Sequence, residues 1–175
     1  KMSLTDLIAS QFGGDAISKL SSQLGANSAA TNSAVSSALP MILGAMARNS
    51  NTEEGATALA GALDRDHDGG ILDNLGGFLG SSDNGAGPGI LKHVLGAKQP
   101  VVEQAVAKQS GLDIASAGKL LANLAPVIMG VLGKQKKQQG LDVAGLASML
   151  NGEKQQHEQS SSVDTGMISK LLDRD

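Results

Sequence analysis

One segment gathers residue types that do chemistry at a suitable spacing: Asp64-Arg-Asp66-His-Asp68-Gly-Gly70-Ile-Leu-Asp73. Calcium takes about six to eight oxygens in a flexible cage, and a loop with carboxylates at its first, third and fifth positions and glycine at the sixth supplies half of one. Asp64, Asp66 and Asp68 fill those positions, the Gly70 carbonyl falls at the seventh, and Ile71 is the apolar anchor at the eighth. The second half departs from the EF-hand pattern. Leu75 stands where a bidentate Glu belongs, so Asp73 would have to close the cage. Such a site would hold much water and suit weak calcium or magnesium binding. The plainer alternative is a solvated acidic turn, in which Asp68 or Asp73 caps the following helix.

No other constellation supports catalysis or a tightly held cofactor. Cys, Trp and Tyr are absent and Phe12 and Phe78 are the only aromatic residues, which removes thiolate chemistry and most base-stacking platforms. His67, His93 and His157 are far apart in sequence, and only His67 has acidic neighbours at ligand spacing. His93 in GILKHVLG reads as the polar side of a short helix. SAGKL has the Gly-Lys of a phosphate loop, but Leu120 replaces the Ser or Thr that binds magnesium. NGAGPGILK has glycines without a strand ahead of them. The expectation is a protein that is not an enzyme.

Fourteen Lys and Arg against 17 Asp and Glu give a net charge of −3 without a basic stripe, so nucleic acid is not an expected partner. Lys134, Lys136 and Lys137 read as cations at a helix C-terminus, where they complement the exposed carbonyls. Met2 reads as the native start, and SLTDLIASQF lacks the basic and long apolar regions of a secretion signal. The longest apolar run, Leu120 to Gly133, is shorter than the roughly 20 residues a membrane span needs. The expectations are no integral membrane segment, a soluble chain and, by default, a cytoplasmic one.

The elements that would position these residues are helices. Ala and Leu dominate, β-branched residues are sparse, and apolar positions recur three and four apart, as in Ile17, Leu20 and Leu24. A second stripe runs through Leu120, Leu121, Leu124, Ile128, Val131 and Leu132. Ser3-Leu-Thr-Asp6 and Asn51-Thr-Glu-Glu54 resemble capping boxes, and Pro100 suits a first helical turn. The expected class is all-α and multihelical.

The chain also resembles itself. Leu39 to Asn49 falls on Ala125 to Gln135, matching Pro40 with Pro126, Ile42 with Ile128 and Gly44 with Gly130. Upstream, Gly25 meets Gly111 and Asn27 meets Asp113. Each copy reads as a helix closed at glycine, a second helix capped by Asn or Asp, and a proline at which it bends or restarts. Gly44 and Gly130 would leave room for close helix contact. The expected plan is two tandem related units with proline-bent helices. Residues 3–80 form the first unit with its Asp-rich loop, 81–89 a flexible linker and 90–150 the second unit. Residues 151–165 would be a disordered polar tether and 166–175 a short terminal helix. A Gly-led apolar pattern occurs three times, as GILDNLG, GILKHVLG and GMISKLL, and the last, on its tether, is the best placed to dock.

The stretch GILKHVLGAKQPVVEQAVAKQSGLDIASAGKLLANLAPVIMGVLGK, with LPMILGAMARN and the Asp-rich loop, resembles the YidB-like family of bacterial proteins of unknown function. The likeness spans about Leu4 to Leu150. It implies a multihelical, soluble bacterial protein and no catalytic residues. The expected function is interaction with a protein partner or self-association, with calcium or magnesium binding at the Asp64–Asp73 loop as the alternative.

Overall fold

The computed structural model describes residues 3–66, 69–80 and 85–160, with the backbone alone at residue 66 and residues 154–160. These residues are all-α, with no strand among them. The helices are α1 (Leu4–Ala9), α2 (Gly14–Leu24), α3 (Ser28–Asn49), α4 (Glu53–Asp66), α5 (Leu75–Leu79), α6 (Gly87–Leu95), α7 (Gln99–Ser110), α8 (Ile114–Gln139) and α9 (Val143–Ser160). A 3₁₀ turn, Gly70–Asn74, leads into α5, and another, Gly96–Lys98, joins α6 to α7.

Local chemistry starts and stops the long helices as expected. The Ala30 N–H donates to Asn27 Oδ1 at 2.8 Å, and the Ser116 N–H to Asp113 Oδ1 at 2.7 Å. Gly25 and Gly111, at φ +66° and +83°, close α2 and α7 in the left-handed region where a side chain is strained. At the start of α4 the capping oxygen is Thr52 Oγ1, which accepts from the Gly55 N–H at 3.0 Å, and not Asn51. Both α3 and α8 run unbroken through Pro40 and Pro126, so neither helix restarts there.

The two caps differ in one testable way. The Ser116 backbone N–H, its hydroxyl and, more weakly, Lys119 hold the Asp113 carboxyl below its ordinary range, whereas Asn27 does not titrate. A depressed folded-state pKa contributes stability that is fully present above the unfolded value near 3.9 and lost as pH falls through the lower folded value. Thermal melts followed by circular dichroism from pH 7 to pH 2 should therefore show a shallower acid loss for Asp113→Asn than for the wild-type chain below about pH 4. Parallel acid limbs would show that the cap contributes no pH dependence.

The core is one cluster drawn from both halves of the chain. It includes Leu20, Leu39, Ile42 and Met46 from the first half and Leu91, Leu120, Leu124 and Ile128 from the second. Helix α3 packs against α7 and α9, while α8 packs against α4, α6 and α7. The expected units 3–80 and 90–150 thus share a single interior. α8 is long and apolar enough to cross a membrane, with a mean hydropathy of 1.5, yet 72% of that stretch is buried within the fold, as befits a central core helix.

Two expectations about small residues and the tail change. Ile71 of the 3₁₀ turn sits against Gly130, whereas Gly44 is approached only by its own helix's Arg48. Only one of the two glycines therefore makes a close interhelical contact. Residues 151–160, expected to open an unstructured tether, continue α9. The reason is Glu153, which is buried and accepts from the backbone N–H groups of Leu4 (3.2 Å) and Thr5 (2.9 Å) and from the Thr5 hydroxyl (2.8 Å). Residues 161–165 and the expected terminal helix 166–175 lie outside the described residues, as do 81–84 of the expected linker. Gly87 to Gly89 belong to α6.

Candidate interaction groove

Among the described residues a concavity lies between α4 and α6, above α8. Ala58, Leu59 and Ala62 form one wall, Ile90 and Val94 the other, and Met129 the floor, around a volume of about 580 Å³. α4 and α6 both rest on α8 without closing over Met129, because their facing residues are small. Ala58 and Ala62 on α4 recur four apart and so share one face of that helix, while Gly85 lies in the turn before α6 and Gly89 in its first turn. The groove is mainly apolar, open along its length, and has the dimensions of small-molecule and peptide sites.

Its charges are segregated. Arg65, at the C-terminal end of α4, and His93 on α6 both line it, and both are exposed. A shallower concavity lined by Glu53, Glu54, Thr57 and Ala58 continues from Ala58 toward the N-terminal end of α4. Acidic residues in the first turn of a helix and a basic one in the last complement its macrodipole, so α4 itself accounts for this polarity. From Glu54 to Arg65 is about 16 Å at the α-helical rise.

The described part of the Asp-rich loop packs against the end of α8. Asp64 accepts from Lys136 Nζ, which lies 3.0 Å from its Oδ1 and 3.3 Å from its Oδ2. Gly69, at the loop's sixth position, lies against Lys134, and Gly70 and Asp73 belong to the 3₁₀ turn that carries Ile71 onto Gly130. The side chain of Asp66 and all of Asp68 lie outside the described residues. Among those described, no three His, Cys, Asp or Glu side chains come together as a metal site would require. The lysines at the end of α8, read from sequence as a charged helix terminus, are placed there, Lys136 and Lys137 in the last turn. His93 is exposed on its short helix, as expected.

The groove was not foreseen, although its signal is present in the sequence. Ala-x-x-x-Ala in ATALAGAL marks a small-faced helical segment and GAGPG a small-residue entry into a helix, but nothing local says that they face each other across Met129. That pairing needs the tertiary placement of both on α8.

No curated protein and no solved structure matches the chain. Residues 6–135 match the family model described as "Bacterial protein of unknown function (DUF937)". That match takes in α2 to α7, most of α8 and every residue lining the α4–α6 groove. The motifs around Pro40, Pro126 and the Asp-rich loop lie within it, and the chain belongs to this family of bacterial proteins, the YidB family that those motifs resemble.

Proposed function

We propose that the protein is a non-enzymatic interaction module that takes an amphipathic helical segment into the groove between α4 and α6. The observation that carries this reading is the groove's make-up: apolar walls and floor, with acidic residues toward the N-terminal end of α4 and Arg65 at its C-terminal end. Helix-in-groove recognition uses apolar anchors three and four apart, with charges at the rim setting direction. The small residues of the walls admit the anchors, and Met129 beneath them is a side chain that adapts to varied shapes.

The probe is a fluorescein-labelled amphipathic helical peptide with an acidic C-terminal turn, titrated to about 1 mM against the full chain by fluorescence anisotropy. Saturable binding is expected, weakened at least tenfold by Ala62→Glu, which places a bulky charge in the apolar wall. Binding unchanged by Ala62→Glu, or a linear rise without saturation in every chain tested, overturns the assignment.

A further inference from the structure

We propose that the groove's occupant is helix α4 of a second copy of this chain, packed antiparallel along α4 across a two-fold axis; the proposal rests on the groove reading above. Glu54, Ala58, Gly61 and Arg65 follow one another on α4 at spacings of four, three and four, the first two and the last exposed and Gly61 half-buried. Positions so spaced form the narrow seam along which two helices pair. Ala56, Ala60 and Leu63 are the buried positions of the same helix and point into the core. The seam runs past both concavities: Ala58 and Arg65 line the groove, and Glu54 and Ala58 line the shallower hollow beside it.

The pattern of charge selects the occupant and its direction. Neither Glu54 nor Arg65 has an ion-pair or hydrogen-bond partner among the described residues. A helix with a free acid at its start and a free base at its end complements a copy of itself only when the copy is reversed. In the antiparallel register that sets Glu54 against Arg65 of the second copy, Ala58 falls opposite Gly61, and the two-fold axis repeats both pairs. One register therefore serves the charges and the small residues together. A parallel pair would set Glu54 on Glu54 and Arg65 on Arg65. The other charged residues of α4, Glu53, Asp64 and Asp66, fall about a quarter turn or more to the sides of the seam, and Asp64 is already paired with Lys136.

Gly61 is a separate observation that agrees. Glycine weakens a helix interior. A Cβ built at Gly61 would meet nothing within 4 Å, and its φ is not positive, so its own fold makes no demand for glycine there. A second helix running past at that point does, because the missing side chain lets two backbones approach closely.

Sedimentation velocity on the full chain from about 1 μM to about 1 mM tests the pairing, and a reversible dimer is expected. Glu54→Lys and Arg65→Glu are exposed changes that each turn two attractive contacts into repulsive ones. Each should raise the dimer dissociation constant at least about tenfold. Mixing the two variants in equal amounts, or placing both changes in one chain, sets opposite charges at both contacts again and should restore the constant to within about threefold of wild type. A chain that stays monomeric throughout, a dimer indifferent to both reversals, or a loss that neither mixing nor the double change repairs overturns the proposal. The labelled peptide of the previous section separates this failure from failure of the groove itself. If the second copy is ruled out while Ala62→Glu still weakens the peptide, the groove reading survives. If the peptide also binds none of the chains, both fall.

Discussion

Gly87→Ala should lower the stability of the protein by about 3 kcal/mol, and the neighbouring Gly89→Ala should raise it by about 0.5–1 kcal/mol. A methyl group on Gly87 would overlap the carbonyl oxygen of Ala122 on α8, with the carbonyl carbon and Cα of Ala122 also inside normal contact distance. Ala122 is the residue whose carbonyl the fourth residue on would normally bond, and that residue is Pro126, which has no N–H. The proline thus leaves a buried carbonyl on the core helix without its helical donor, and α6 lays the Cα of Gly87 against it. A Cα–H group can offer a weak hydrogen bond there, and no other residue type lets the backbone come so close. The clash is between two backbones, so no rotamer change relieves it. α6 would have to back away from α8 and loosen Leu91 and Leu95, which are 1% and 5% exposed. At Gly89 an added Cβ meets nothing within 4 Å, and alanine only improves helix propensity. Thermal melts should show Gly87→Ala falling by roughly 6–12 °C and Gly89→Ala rising by a few degrees. Equal melting temperatures for the two variants would mean that the close approach at Ala122 does not exist in solution.

This contact shows where sequence reasoning stops. The caps at Asn27 and Asp113 and the closing glycines at 25 and 111 were legible because each satisfies a helix end within three or four residues of itself. The apolar stripes of α2 and α8 were legible for the same reason, since periodicity alone reports which face is buried. Pro126 was visible too, but its consequence depends on a glycine about forty residues upstream in sequence, which only the packing of α6 on α8 discloses. The same holds for Gly44 and Gly130, alike in sequence and unlike in surroundings, because the 3₁₀ turn that covers Gly130 has no counterpart over Gly44 among the described residues. In the Asp-rich loop, whose composition suggests an ion, Asp64 pairs with a lysine that follows it by more than seventy residues, a partner that no local pattern announces. Composition also suggested an unstructured tail from residue 151, and one buried carboxylate changes that outcome.

That carboxylate makes the second large prediction. α1 is only six residues long, far below the length at which an isolated helix persists in water, so tertiary contacts must hold it. All of its leading N–H groups are nonetheless satisfied. The Ser3 N–H donates to Asp6 Oδ2 at 3.4 Å and the Asp6 N–H to Ser3 Oγ at 3.1 Å, closing a capping box. The two donors between them, on Leu4 and Thr5, go to Glu153 of α9, which also accepts from the Thr5 hydroxyl. Glu153→Ala removes three charge-assisted hydrogen bonds at once and leaves the Leu4 N–H, in a buried stretch, without its acceptor. The expected cost is about 3 kcal/mol, with Glu153→Gln between the two because its amide keeps one acceptor oxygen and turns an NH₂ group toward the remaining donor. The loss should also be local. Hydrogen exchange should rise first in α1 and in the last two turns of α9, before α3 and α8 lose protection, since α1 contributes Leu4 and Ile8 to a core that α3 and α8 otherwise fill themselves. Uniform exchange throughout the chain in Glu153→Ala would make the carboxylate part of the global core rather than a clamp on the amino terminus. Full protection of α1 in the variant would show that the capping box alone holds the helix.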